Sequence, residues 1–489
     1  MNQNLTQKSI RSFLWKTAQS VCTLGSTFIV QIVLARILDP TDFGIVAITT
    51  VFMTLANTII ETSFSSSVIQ KSELSQKLLS SIFFANSGLS FLVYTLLFLA
   101  APIIARFYDE AILIAVLRVQ GLRIVIASLC SIQDALLIRE MKFKTLFLCE
   151  LIGAIVQVGV GLVMAYTGFG VWALVFSALV GYLASGIGKV MASKWKPSLY
   201  YSHSLVKDAL SFSSKILAVR VTRKLFYNVR TLTIGKVYTT DTLGYFNKGF
   251  QFPSTAMTVV DGSLTSVAFT SLSKLQDNKQ ELVDALRNYV RIMMYLCTPM
   301  MIGMAIVAKP LVRVLLTDKW LACVPYLQIV CFTQLLAPLN VKTTAFEALG
   351  ESTISMKLHV SGIVLSIILL FVSIPYPAWV MVLSGFVSSL LLQIAIGVVC
   401  KKRMHYRYSD QLKDAFIGTI PTIGMVAVIY FCSYLPCGVF LSLVLKITLG
   451  ILAYVAFSAL SKNPILYQII TYSKKIRPTR RNDVSEKSR

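Results

Sequence analysis

Charged residues are scarce in this chain. Asp, Glu, Lys and Arg make up 14% of 489 residues, where a soluble protein carries nearer a quarter. With 55% hydrophobic residues and a mean hydropathy of +0.71, that scarcity excludes an ordinary water-soluble domain. Acids are the scarcer sign, 22 against 46 Lys and Arg. The nine cysteines contain no CxxC pair and no Cys/His ligand cluster. Their odd number and apolar surroundings argue against a disulfide framework or a metal site, and they read as small buried apolar residues. No Gly-rich phosphate loop or nucleophile–base motif stands out, which disfavours ATP-driven primary transport. Long connections are missing too. None exceeds about a dozen residues, so no soluble domain is inserted between the apolar stretches.

What is present is an apolar stretch of about 20 residues, the length that crosses a bilayer, recurring along the whole chain. Fourteen spans are expected, at about 12–36, 43–70, 78–105, 111–138, 145–166, 169–192, 206–236, 242–273, 284–309, 321–348, 354–374, 377–400, 412–434 and 438–460. The N-terminus reads as a first transmembrane helix and not as a cleavable signal, because Lys16 interrupts the apolar run and no small-residue cleavage site follows. The net charge of +24 invites a nucleic-acid reading, but its distribution argues otherwise. Twenty-eight Lys and Arg fall in the N-terminus, alternate loops and C-terminus, six in the other loops and 12 within spans. That asymmetry follows the positive-inside rule and places both termini in the cytoplasm. Arg139, Lys142, Lys144, Lys189, Lys194, Lys196, Lys401, Lys402, Arg403 and Arg407 are among the inner-loop cations. The tail, with Lys474, Lys475, Arg477, Arg480 and Arg481, reads as a cytoplasmic segment near anionic lipid.

The chain also repeats itself. Shifted by 200 residues, 35–67 matches 235–267: Arg36 meets Lys236, Gly44 meets Gly244, Ser66 meets Ser266, and Ile59-Ile60-Glu61-Thr62-Ser63 meets Val259-Val260-Asp261-Gly262-Ser263. A weaker echo pairs Pro102 and Gln120 with Pro310 and Gln328. The offset covers six spans, an even number, so both copies share one orientation and are related by an axis along the membrane normal. The expected organisation is an N-terminal lobe of spans 1–6 (residues 1–200) and a C-terminal lobe of spans 7–12 (201–405). Spans 13–14 (406–461) are an addition, followed by a basic tail (462–489). Substrate sites in such folds tend to lie near the midplane between the repeats.

The seventh span is the most informative. It carries Lys215, Arg220, Arg223, Lys224 and Arg230, and one cation at the centre of a lone membrane helix costs about 2.5–3.5 kcal/mol on insertion scales. Five cannot face lipid together. At about 100° per residue, Arg220, Arg223, Lys224 and Arg230 share a face about 120° wide, with Tyr227 among them. Such a stripe, facing protein or water, suggests a path for an anion. Arg suits phosphate because its planar fork binds two oxygens.

The other embedded cations are Lys16, Arg118, Arg123, Lys248, Arg291, Lys342 and Lys446; the embedded acids are Glu61, Asp134, Glu150, Asp261 and Glu347. Cations exceed acids by seven, so internal pairing cannot neutralise the interior, and the surplus needs water or a bound anion. Lys16 and Lys248 either line the path or snorkel from span ends. Arg118 and Arg123 either line it or pair within their own lobe. Lys446 reads as structural or snorkelling. Glu61 and Asp261, equivalent across the repeat, are candidates for coupling or gating, with fixed salt bridges as the alternative. His359 titrates in the useful range but reads more simply as hydrogen-bonded structure.

Phe28, Gln31, Ala35-Arg36-Ile37-Leu38, Pro40 and Asp42-Phe43-Gly44 resemble the opening of the polysaccharide transporter, or Wzx-type flippase, family, most closely its colanic-acid-exporter-like branch. With the topology and repeat, the resemblance extends over about residues 8–460. It implies an all-α membrane fold of the MOP exporter superfamily and no enzyme activity or cofactor. The implied substrate is a polyprenyl-diphosphate-linked oligosaccharide, moved from the inner to the outer leaflet of the bacterial cytoplasmic membrane. Expected partners are that substrate, membrane lipid, polysaccharide polymerase and chain-length machinery, and a coupling cation or proton. It further implies that spans 1, 2, 7 and 8 line the cavity, which matches Lys16, Glu61, Arg220, Arg223, Arg230, Lys248 and Asp261. Two rivals are a cation-coupled multidrug antiporter of the same fold, opposed by the cation surplus, and a membrane-embedded polymerase or ligase, opposed by the short outer loops.

Overall fold

The computed structural model describes residues 15, 19, 23–70, 75–468 and 471, with side chains except at 61–70, 205, 208–216, 218–219, 261–267 and 269–270. Among these every regular element is a helix. They are α1 (Thr23–Ile37), α2 (Pro40–Gln70), α3 (Gln76–Tyr108), α4 (Ile112–Arg139), α5 (Phe143–Tyr166), α6 (Val171–Ser193), α7 (His203–Val237), α8 (Thr240–Ser273), α9 (Lys279–Ile306), α10 (Ala308–Leu315), α11 (Val324–Leu335), α12 (Val341–Ala348), α13 (Ser352–Val372), α14 (Ala378–Met404), α15 (Tyr408–Ala415), α16 (Thr419–Phe431) and α17 (Val439–Leu460).

Eleven stretches of described residues are long and apolar enough to cross a membrane. The helices at the first, seventh and eighth expected spans fall outside that group: α1 is described only from Thr23, α7 carries the basic stripe, and α8 is flecked with polar residues. Large apolar side chains stand exposed along the helices, among them Phe91, Leu99 and Ile103 of α3 and Ile420, Ile423 and Phe431 of α16. In water so much exposed apolar surface would drive association, whereas in a bilayer it meets lipid.

Two expected spans are not single helices. The stretch 318–348 is broken into a tight 3₁₀ turn at Asp318–Cys323, α11, a second turn at Ala337–Asn340, and α12. Pro325 opens α11 and Pro338 sits in the second turn. Proline has no N–H to donate and clashes with the preceding turn, which favours a break at these points. The thirteenth span begins as α15, turns at 416–418 and resumes as α16, with Pro421 in the first turn, where its missing N–H is tolerated. One inner-loop assignment also needs correction. Lys189 lies inside α6 and holds two carboxylates within the helix packing.

The chain forms two compact units. The first comprises α1 to α7, the opening of α8 to Lys248, and the connection Leu315–Ala322. Here α7 packs along α2 and touches α3, α4 packs on α2, α3 and α6, and α5 lies along α6. The α5–α6 approach is set by glycine: a β-carbon at Gly153 would stand 2.7 Å from the Gly181 carbonyl oxygen, and one at Gly181 would stand 2.8 Å from that of Gly153. Small residues let membrane helices approach where no hydrophobic force drives them together. Ser75 caps α3 by accepting from the Leu78 N–H at 3.2 Å.

The second unit contains the rest of α8 and the later helices. Its core is built from Leu282, Leu286, Phe346, Ile396 and Cys400, which join α9, α12 and α14. A second cluster seats α16 and α17 on α9 through Tyr295, Met425, Ile429 and Tyr454. Tyr454 donates to the Tyr295 carbonyl at 2.6 Å, and Tyr295 donates to Ser458 Oγ at 2.8 Å. Satisfied hydroxyls of this kind let polar groups sit in an apolar setting.

Candidate functional site

The stripe expected on the seventh span is carried by α7. Arg220, Arg223 and Lys224 are exposed, and so is Tyr227 at 65%. The exposure is not confined to their face, since Leu225 and Phe226 at the same level are exposed as well. Arg230, one turn further, is half-buried, and its Nε has no hydrogen-bond partner. A buried donor left without a partner is unusual and invites water or an anion.

The remaining expected cations are dispersed. Arg118 lies over the Phe98 ring of α3, Cζ 4.1 Å from its centroid, and Arg123 over the Tyr182 ring of α6 at 4.6 Å. Each has its Nε buried without a hydrogen-bond partner. Aromatic faces attract guanidinium groups, so these two arginines contact neighbours within the first unit. Lys248 is 1% exposed. Its Nζ donates to Gln31 Oε1 at 2.7 Å and to the Gln31 carbonyl at 3.2 Å, and it stands 4.0 Å from the Phe43 ring centroid. It therefore joins α8 to α1 and α2 inside the packing. Glu61 lies in α2 and Asp261 in α8; their side chains fall outside the described residues, as does that of Lys215. Lys16 and the tail cations Lys474, Lys475, Arg477, Arg480 and Arg481 lie outside the described residues altogether.

Two charge clusters went unread in the sequence. Lys189, its side chain 7% exposed, reaches Glu150 Oε1 at 2.7 Å and Asp134 Oδ1 at 3.1 Å. This trio ties α6 to α5 and α4. In the second unit the Asp414 carboxylate, 1% exposed, accepts from Arg287 Nε at 2.9 Å, from Arg291 Nε, and from the Tyr406 hydroxyl at 2.8 Å. Lys342 donates to Gln411 Oε1 at 3.0 Å. These contacts clamp α15 to α9 and α12. Asp134, Glu150, Arg291 and Lys342 are thus consumed structurally. The missed signal was positional: Lys189 and Arg287 stand within reach of acids on neighbouring spans, and only pairing the spans reveals it. Among the described residues no group of three or more His, Cys, Asp or Glu comes together that could hold a metal ion.

The motif Asp42-Phe43-Gly44 has a clear structural setting. Asp42 Oδ2 accepts from the Asp39 N–H at 3.3 Å, an acid at a helix start where the dipole favours it. Phe43, 2% exposed, meets Trp320 edge-on at 5.3 Å and underlies Lys248. Gly44 sits at a helix crossing with no room for a side chain.

Membrane-length helices with a basic helix face among them define a multi-pass membrane protein. The structure superposes on the lipid II flippase MurJ in an inward closed conformation with a TM-score of 0.69. That match covers 94% of this chain and 99% of the other at 18% identity. A family model described as "Polysaccharide biosynthesis protein" matches residues 33–325, and the chain belongs to that family. Lipopolysaccharide biosynthesis protein WzxC of Escherichia coli K12 is 23% identical over 339 residues, 68% of each chain. Teichuronic acid biosynthesis protein TuaB of Bacillus subtilis 168 is 21% identical over 432 residues, 87% of this chain and 89% of its own.

Proposed function

We propose that this protein is a flippase. It carries polyprenyl-diphosphate-linked oligosaccharide repeat units from the inner to the outer leaflet of the bacterial cytoplasmic membrane, for assembly of a surface polysaccharide. The observation that carries this reading is the open basic face of α7, with Arg220, Arg223 and Lys224 exposed on a membrane-length helix. A diphosphate crossing bare lipid leaves its charge and hydrogen-bonding groups unsatisfied, at several kcal/mol each. Guanidinium forks supply charge-assisted, two-point contacts to phosphate oxygens, while the prenyl chain stays in lipid. Relatives named for lipopolysaccharide and teichuronic acid biosynthesis support a glycan cargo.

The protein makes and breaks no covalent bond. The lobes 1–200 and 201–405 rock about the cargo, opening first to the cytoplasm and then outward. Both termini lie in the cytoplasm, as the Lys/Arg asymmetry indicates. Delivery on the outer side hands the cargo to polymerase and chain-length machinery, and a cation or proton gradient coupled through Glu61 and Asp261 supplies the drive. A multidrug antiporter would need a cavity for cations, which the α7 stripe opposes.

The test uses proteoliposomes holding a fluorescent lipid-linked oligosaccharide, with outer-leaflet exposure measured by an impermeant quencher. Arg220→Ala and Arg223→Ala should each slow flipping with normal amounts of folded protein. Lys at either site should restore part of the rate, keeping charge but losing the fork. Flipping at the normal rate in both Ala variants would overturn the reading.

A further inference from the structure

The short helix α15 is amphipathic the wrong way round for water. At about 100° per residue, Asp410, Gln411 and Asp414 share one side of it, and that side is turned into the protein. Asp414 is the buried carboxylate held by Arg287, Arg291 and Tyr406. Asp410 Oδ1 lies 3.4 Å from Arg287. Gln411, also buried, donates from Nε2 to the Gly397 carbonyl at 3.1 Å and to the Tyr406 carbonyl at 2.8 Å. On the opposite side Leu412 is 56% exposed, and Phe416, which ends the helix, is 62% exposed. The apolar surface continues onto α16 through Ile420 and Ile423. In water this arrangement would lose twice, by desolvating two carboxylates and by exposing Leu and Phe. The buried acids have their partners, so only the outward face remains to be explained. A short helix with such a face lies stably in the boundary between head groups and acyl chains.

The chain that leads into α15 is basic. Lys401, Lys402 and Arg403 fall in the last turn of α14, and His405 then reverses the chain in a left-handed conformation, with φ 57°. Arg407 stands at the start of α15 and Lys413 near its end. All of these side chains are exposed. Lys401 lies over the Tyr408 ring, 5.7 Å from its centroid. Among the described residues Lys402, Arg403, Arg407 and Lys413 enter no ion pair, because the acids of this corner, Asp410 and Asp414, are turned inward to Arg287 and Arg291. The corner thus separates its charges, acids in and cations out. The cations sit directly beside the exposed apolar surface, with Lys413 next to Leu412 in the chain.

We infer that this corner is a docking site for an anionic phospholipid of the inner leaflet. The lipid phosphate meets Lys402, Arg403, Arg407 and Lys413, and an acyl chain covers Leu412, Phe416 and Ile420. Bound lipid seats the joint between α14 and the two added spans at the membrane surface. Two features select an anionic lipid over a zwitterionic one. The exposed cations lack carboxylates of their own, and arginine offers phosphate a two-point contact. A choline head group brings its own cation and gains less from such a surface. The clamp on Asp414 holds α15 in place, so the cations and the apolar patch are presented together. The inference takes its leaflet from the Lys/Arg asymmetry and is independent of the cargo.

The test reads which lipid lies against the corner. Protein carrying Phe416→Trp is reconstituted in bilayers containing brominated phosphatidylglycerol or brominated phosphatidylcholine, and the reporter's quenching is its difference from the parent protein. A cation near an anionic surface favours binding about fivefold, so at least that preference for phosphatidylglycerol is expected at this position. Raising the salt concentration should weaken it, since exposed charges are screened. Gln at Lys402, Arg403, Arg407 and Lys413 together should abolish it, whereas Arg403→Lys with Arg407→Lys should keep most of it. A second reporter, Phe371→Trp at the other end of the neighbouring α13, should show no preference. Equal quenching by the two lipids at Phe416→Trp overturns the site even where the Gln variant cannot be purified. So does a preference that resists salt, or one that Phe371→Trp shares. A polyprenyl diphosphate that displaces brominated phosphatidylglycerol at a mole fraction far below its own would overturn the phospholipid and make the corner a cargo site. None of these readouts needs transport, so failure here leaves the flippase reading standing, and loss of flipping leaves the lipid site standing.

Discussion

Removing the Lys189 ammonium is the sharpest test of how this membrane interior handles charge. Its Nζ sits 2.7 Å from Glu150 and 3.1 Å from Asp134, with 7% of the side chain exposed. In Lys189→Met the chain keeps roughly the same volume but leaves two carboxylates facing each other without a cation. Breaking a buried ion pair from one side costs about 3–5 kcal/mol, because the surviving charge stays desolvated. Asp134 and Glu150 retain 33% and 27% of their side-chain exposure, so solvent screens part of the loss and the lower end, about 3 kcal/mol, is expected. The triple variant Lys189→Met, Asp134→Asn, Glu150→Gln should recover most of that, since no unpaired charge remains. The assay is equilibrium unfolding in mixed micelles titrated with a denaturing detergent, together with flipping per folded molecule, which should stay normal. A single variant within about 0.5 kcal/mol of the parent, the range of a neutral surface change, would refute the reasoning. Normal stability with lost transport would instead make Lys189 part of the transport path.

Glu61→Gln or Asp261→Asn should slow flipping and shift the balance of inward-open and outward-open states, read by a distance probe across the outer ends of α2 and α8; no change in either measure would leave only static pairing. Cysteine-accessibility labelling should find residues 401–413 and the C-terminal tail on the cytoplasmic side and 238–241 outside, and a tail labelled from outside would overturn the fourteen-span topology. Burial, and then the hydrogen bond to Asp414, raise the Tyr406 phenol above its ordinary value. Its stabilising contribution is therefore complete below the unfolded value of about 10 and is lost as pH rises beyond it. Alkaline unfolding should be steeper in the parent than in Tyr406→Phe, and equal slopes would count against the Tyr406–Asp414 bond.

The motif at residues 28–44 and the 200-residue shift were legible because each is a pattern along the chain. The role of that motif was not. Ala35 and Leu38 act through their carbonyls, and their acceptor positions depend on where Leu315–Ala322 returns, some 280 residues later. Lys248 illustrates the same limit. Its place near a span end suggested lining or snorkelling, and only the packing of α1 and α2 around it reveals a fully enclosed cation.

From residue order alone come the membrane environment, the helical class, the duplication and the basic face of α7. The duplication is a match of the chain to itself; the other three follow from local quantities, transfer free energy summed over about 20 residues and the angle between successive side chains on a helix. Tertiary structure alone decides which charges are consumed and which stay available. Asp134 and Glu150 stood in the sequence only as embedded acids, and both are taken by Lys189; Arg291 stood only as an embedded cation, and Asp414 holds it. A charge's partner is set by distances of 3–4 Å between helices, and those distances depend on how the spans pair. Span pairing is itself governed by packing between small residues such as Gly153 with Gly181 and Gly44 with Thr240, because in lipid the apolar surfaces carry no preference of their own.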